Sequence, residues 1–170
     1  MGAVERRSGR DPEFEAFVAG AAGRLLHVAV LLTAEPAAAA AGAAGAAGAA
    51  GAEASGGTPA GAPAARRLLA GALARTYAHW ERLRGDDPYD HTRQELCAAY
   101  ARTARRIGPG TGVLARLSPP ERLVLVMRIY EGVAEEVTAA QLGLAPERVE
   151  AICNRAVAAM RAAPGRKTAA

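Results

Sequence analysis

The side chains best suited to chemistry lie between Glu147 and Arg155, where Arg148, Asn154 and Arg155 share a stretch with Glu147, Glu150 and Ala151. At helical spacing these residues face away from a stripe of Val149, Ile152, Cys153, Ala156, Val157 and Met160. Arginine and asparagine present donors and acceptors that match base edges and phosphate oxygens, and a glutamate accepts from a cytosine amine while repelling phosphate. The chemistry this pattern offers is recognition. Catalysis finds no footing, because the chain has no phosphate loop, no nucleophile elbow and no histidine or carboxylate cluster at ligand or acid–base spacing. Asp86-Asp87 and Glu135-Glu136 are adjacent acids that point apart and read as solvated surface. His27, His79 and His91 fall in separate segments, and Cys97 with Cys153 are too few for a metal site, so both read as buried free thiols in a reducing compartment. The expectation is a non-enzyme without catalytic residues, metal, cofactor or small-molecule substrate.

The elements that must position the Glu147–Arg155 face are clearly punctuated. Ser118-Pro119-Pro120-Glu121 combines an N-cap hydroxyl, proline at the first helical position and a glutamate three residues past the serine, which opens a helix. Arg122 to Tyr130 is apolar nearly all round, predicting a central helix. A short helix from about Ala134 to Leu142 stops at Gly143, and Pro146 starts the amphipathic helix. A short helix, a glycine turn and a longer helix make a helix-turn-helix, whose second helix can enter the major groove. An ordinary three-helix bundle satisfies the same apolar pattern.

Upstream, a capped helix is expected from near Asp11-Pro12, with Phe14, Phe17, Val18, Leu25, Val28 and Leu32 on one broad face. Composition then changes at Pro36, and residues 36–65 are almost only alanine, glycine and proline. Each glycine costs about 1 kcal/mol relative to alanine in a helix, so this low-complexity insert reads as a loop or frayed helix. Order resumes at Arg66 with Leu69, Ala72, Leu73, Thr76, Trp80 and Leu83 on one face and Arg75, His79 and Arg82 on another. A further helix from about Asp90 to Arg106 buries Leu96, Ala99, Tyr100, Thr103 and Ile107, and the glycine-rich stretch after it predicts a flexible linker. The fold class is therefore all-α: a domain over 11–106 interrupted at 36–65, a linker over 107–116, and a helix-turn-helix domain over 117–163. At 170 residues there is room for two such small cores.

Charge is uneven. Nine arginines face five acids from Arg66 to Arg106, whereas five arginines face six acids from Leu117 to Arg161, so the basic surface lies in the middle of the chain. No signal peptide and no membrane-spanning run are expected, since the alanine-rich tract is broken by glycine and weakly hydrophobic.

The stretch from Leu117 to Arg161 resembles the fourth conserved region of bacterial extracytoplasmic-function (ECF) sigma factors of the sigma-70 family. Leu117, Pro119, Arg122, Val124, Leu125, Arg128, Tyr130, Glu131, Leu142, Gly143, Pro146, Val149 and Arg155 stand where that family places them. "FEAFVAGAAGRLLHVAVLLTAEP" and "LARTYAHWERLRGDDP" are similar to the flanks of the family's second region in its actinobacterial form. The resemblance implies a cytoplasmic sigma factor that directs transcription initiation by binding core RNA polymerase and promoter DNA, with an anti-sigma protein as a further partner. It places DNA contacts on Glu147, Arg148, Glu150, Ala151, Asn154 and Arg155. It places polymerase contacts on Arg67, Ala70 and Gly71, at positions where the family carries an acidic motif. The family's single-strand-contacting asparagine and tryptophan fall on Ala98 and Ala104, and its recognition triplet K-S-R falls on Glu150, Ala151 and Ile152. These departures keep two other readings open: a degenerate sigma-like protein acting through protein partners, and a stand-alone helix-turn-helix regulator.

Overall fold

The computed structural model describes residues 2–36 and 62–162, with side chains from Pro12 onward. Most of the low-complexity insert, and the end of the chain after Ala162, lie outside the described residues. Among the described residues six α-helices occur: α1 Gly2–Thr33, α2 Pro63–His79, α3 Pro88–Thr103, α4 Pro119–Leu125, α5 Glu135–Leu142 and α6 Pro146–Arg161. Single 3-10 turns extend α2 over Trp80–Arg82 and α3 over Ala104–Arg106, and a π turn extends α4 over Val126–Tyr130. No strand occurs among the described residues.

Two local devices frame α1 to α3. The helix expected to begin near Asp11-Pro12 instead runs from Gly2, with Pro12 inside it. Its far end is joined to α2 by Glu35, whose carboxylate accepts from the amides of Ala64 (3.1 Å) and Ala65 (2.9 Å) and from the Thr33 hydroxyl (2.9 Å). These amides are unpaired donors of the first turn of α2, so an anion there satisfies them and opposes the helix dipole. The two ends of the insert are thereby held together. At the start of α3, Asp87 accepts from the Tyr89 amide at 2.9 Å and Pro88 occupies the first helical position, which gives the second acid of the Asp86-Asp87 pair a capping role.

The principal core takes Val28, Ala29 and Leu32 from α1, Ala65, Leu68 and Ala72 from α2, Leu96, Ala99 and Tyr100 from α3, and then continues into Leu114, Leu117, Leu123, Met127 and Ala156. A smaller core of Val124, Ala139, Val149 and Ile152 sits within the last three helices. The predicted stripes supply these buried residues, but Phe14, Phe17, Val18, Leu73, Trp80 and Leu83 are only partly buried, as is Cys153, expected as a buried thiol, and the main core crosses the division drawn at 107–116. By length and composition Pro12–Thr33 is able to span a membrane, contrary to the expectation of no such run. Its Leu25, Val28, Ala29 and Leu32 are fully buried against the other helices.

Residues 107–116, expected as a flexible linker, are bound on both sides. The Gly112 amide donates to the Ala34 carbonyl at 2.6 Å, and Gly110 lies so close to the Ala34 carbonyl, and Gly112 to the Glu35 carbonyl, that a Cβ on either would overlap a backbone oxygen. Glycine serves here for close approach of two backbones as well as for freedom. The buried Arg122 guanidinium completes the joint. It donates to the carbonyls of Leu117 (3.0 Å), Leu114 (3.1 Å), Pro109 (3.1 Å), Leu32 (3.4 Å) and Ala115 (3.4 Å). One side chain therefore ties α1, the connecting segment and α4 together, satisfying carbonyls that regular structure leaves open.

Candidate nucleic-acid interface

The C-terminal module is built around α4, α5 and α6. Ser118 and Glu121 form a capping box: the Ser118 amide and hydroxyl both donate to Glu121 Oε2, at 2.9 and 2.6 Å. These hydrogen bonds, with the guanidinium of Arg155 at 2.8 Å, hold the Glu121 carboxyl below the usual carboxylate range. The helix that follows is not uniformly apolar in its setting. After Leu125 it widens to a π turn closed by the Glu131 amide on the Val126 carbonyl (2.9 Å), and this leaves Ile129 64% and Tyr130 41% exposed. Sequence periodicity assumes an unbroken 3.6-residue repeat, so the extra residue in that turn is invisible to it.

The turn of the helix-turn-helix follows the expected chemistry. Gly143 adopts φ 64° and ψ 36°, and the Leu144 amide reaches the Ala139 carbonyl at 3.0 Å, closing α5 with a left-handed cap. Val149, Ile152 and Ala156 are buried, so α6 is anchored along one side only. Arg116 fixes its far end by donating to the carbonyls of Ala159 (3.2 Å) and Ala162 (2.7 Å).

Anchoring α6 in this way leaves all six expected DNA-contacting residues, Glu147, Arg148, Glu150, Ala151, Asn154 and Arg155, exposed. Arg148 and Asn154 have no side-chain partner among the described residues, whereas Arg155 is paired with Glu121. A guanidinium and a carboxamide left unpaired beside a small residue, Ala151, can approach base edges. Glu147 and Glu150 offset the two arginines, so this face carries little net attraction for phosphate. The expected polymerase-contacting residues lie elsewhere, on the outer side of α2, where Arg67 and Ala70 are exposed and Gly71 is half-buried.

Glu131 is the residue that sequence reasoning matched to a motif without foreseeing its work. Its carboxylate is 1% exposed and receives the Tyr89 hydroxyl at 3.0 Å, Arg24 at 3.2 Å and Arg93 at 3.7 Å. Arg93 also pairs with Asp90 at 3.0 Å, and Arg24 lies over the Tyr89 ring at 5.0 Å. Burial, then the Glu131 hydrogen bond, pushes the Tyr89 hydroxyl well above its ordinary range. The π turn aims Glu131 inward between α1 and α3, which locks the helix-turn-helix to the N-terminal helices. The tyrosine and the two arginines lie on distant stretches of chain, so no local signal reveals the cluster. The structure also brings His79 and His91 together with ring centres 5.8 Å apart, although no group of metal-ligating residues forms among the described residues.

Residues 113–162 match the family model described as Sigma-70, region 4. No curated protein and no solved structure matches the chain. The match covers the connecting segment's last residues and all three C-terminal helices, the same elements that the capping box, the glycine turn and the one-sided anchoring of α6 assemble. The C-terminal helix-turn-helix is accordingly similar to region 4 of sigma-70 proteins, which in that family is a promoter-contacting DNA-binding domain, and the match supports a sigma-70 relationship for this part of the chain.

Proposed function

We propose that the protein is a cytoplasmic ECF-type RNA polymerase sigma factor, without enzymatic activity of its own, which directs transcription initiation by joining core polymerase and reading an upstream promoter element. The observation that carries this reading is the exposed face of α6 on a region 4 domain, with Arg148 and Asn154 unpaired and Arg155 beside them. Arg148 and Asn154 make the base contacts. Arg155 exchanges Glu121 for a phosphate, and Glu150 favours cytosine at its position. Arg67, Ala70 and Gly71 stand at the polymerase-facing side, and an anti-sigma protein is a further partner of the same reading. Co-elution of the full chain with core RNA polymerase on a sizing column at moderate salt tests the reading. A stable complex supports it, and separate elution of two folded proteins counts against it.

A second reading has its own support. Arg67 stands where an acid is expected for polymerase docking, and like charges juxtaposed across an interface cost several kcal/mol. A degenerate sigma-like protein would then act through other protein partners, whereas a stand-alone regulator would bind duplex DNA specifically without polymerase. Sequence-specific binding by the protein alone, resistant to competition by bulk DNA, favours the stand-alone regulator.

A further inference from the structure

A groove of about 350 Å³ runs between α2 and the end of α3, lined by Ala64, Arg67, Leu68, Gly71, Arg75, Ala99, Thr103, Arg106 and Ile107. Its floor is apolar and its walls are cationic. Arg67, Gly71 and Arg75 fall four residues apart along α2, so the wall they form is roughly 12 Å long, about two helical turns. Arg106 faces them from the 3-10 turn after α3. Arg67 and Arg106 are exposed and make no ion pair among the described residues. Arg75 lies 3.6 Å from Glu95, which concentrates the unbalanced charge at the Arg67–Arg106 end. Glu35, which meets the first turn of α2, is engaged with the amides of Ala64 and Ala65.

We propose that this groove docks an acidic amphipathic helix of a partner protein, with an apolar ridge seated on Leu68, Gly71, Ala99 and Ile107 and carboxylates meeting Arg67 and Arg106. Gly71 is what opens the floor: a Cβ there would meet only the Arg75 guanidinium at 3.9 Å, so the space above it is empty. Charge complementarity sets the sign of the occupant. The lining separates a peptide from a nucleic acid. It holds no aromatic ring on which a base could stack, and its one hydroxyl, on Thr103, is spent on the Ala99 carbonyl at 2.8 Å. An apolar ridge on a helix fits such a floor, as in other helix-in-groove complexes. The inference does not depend on promoter binding by α6; it rests on the second reading, in which Arg67 stands where polymerase docking expects an acid and this face serves another protein partner.

The test is fluorescence anisotropy of the full chain with a labelled helical peptide carrying a leucine ridge and glutamates elsewhere. Its comparisons are a peptide of equal charge with serine in place of leucine, and a single-stranded oligothymidine of equal charge. The leucine-ridged peptide binds most tightly, and the serine peptide is weaker by about tenfold or more. Affinity is lost in the double variant Arg67→Glu, Arg106→Glu, whose sites are exposed and outside the core. Gly71→Leu fills the floor and weakens the leucine peptide while leaving circular dichroism unchanged. Equal binding of the two peptides, tighter binding of oligothymidine, or full affinity in the double variant overturns the proposal.

Discussion

Replacing Glu131 with alanine tests the joint between the two groups of helices. Arg93, whose side chain is 8% exposed, would keep only Asp90 at 3.0 Å, itself half exposed. Removing one partner of a buried ion pair costs about 3–5 kcal/mol. The contact here is a long one, 3.7 Å, and Arg93 retains its second acid, so the lower half of that range applies or less. The Tyr89 hydroxyl loses a charged acceptor, worth about 1.5–3 kcal/mol when no replacement is available. Arg24 is 55% exposed and adds at most about 1 kcal/mol. These contributions share one carboxylate and do not sum, so Glu131→Ala is expected to destabilise by about 3 kcal/mol. Glu131→Gln keeps an oxygen for Tyr89 and loses the charge, with an expected cost of about half as much. Urea unfolding followed by circular dichroism measures both. A cycle with Tyr89→Phe should return a coupling of about 1 kcal/mol. A loss below about 0.5 kcal/mol for Glu131→Ala, or no coupling to Tyr89, would refute the claim that this carboxylate holds the modules together.

Further outcomes follow from Arg122, Gly143 and Cys97. Arg122→Met leaves the carbonyls of Leu117 and Pro109 without this donor and should lower stability by about 3 kcal/mol, and Arg122→Lys by somewhat less because an ammonium keeps a charge and donors although not the planar fork, both read by thermal melting. Gly143→Ala meets no atom within 4 Å and pays only for φ 64°, about 1 kcal/mol, measured by the same melts; a larger loss would mean the turn is tighter than described. Burial pushes the Cys97 thiol from 9.0 up to about 12, so it should resist thiol reagents at pH 8 until the protein unfolds. Because the folded value lies above the unfolded one, its contribution is fully present below pH 9 and is lost as pH rises from 9 toward 12. Reaction of Cys97 in the folded state at pH 8 would contradict its placement.

The helices were legible wherever a cap or a breaker coincided with an apolar stripe. Ser118 with Glu121, Gly143 and Pro146 announce α4, the turn and α6, and the exposed face of α6 follows from Val149, Ile152 and Ala156 being its buried one. Contacts between distant segments were not legible. Nothing local tells that Glu131 meets Tyr89 across 42 positions, or that Arg122 reaches Leu32 across 90. The glycines at 110 and 112 read as flexibility because composition cannot distinguish a free hinge from a close backbone approach. Glu35 shows the same limit: its partners at Ala64 and Ala65 lie beyond an insert that hides their proximity.

The most direct measurement is transcription in vitro from fragmented genomic DNA by core RNA polymerase supplemented with the purified protein. The account predicts discrete start sites sharing an upstream element, present only with the protein and lost with Arg148→Glu or Asn154→Ala in a folded variant. Start sites unchanged by the protein, or unaffected by either substitution, would contradict promoter reading by the exposed face of α6.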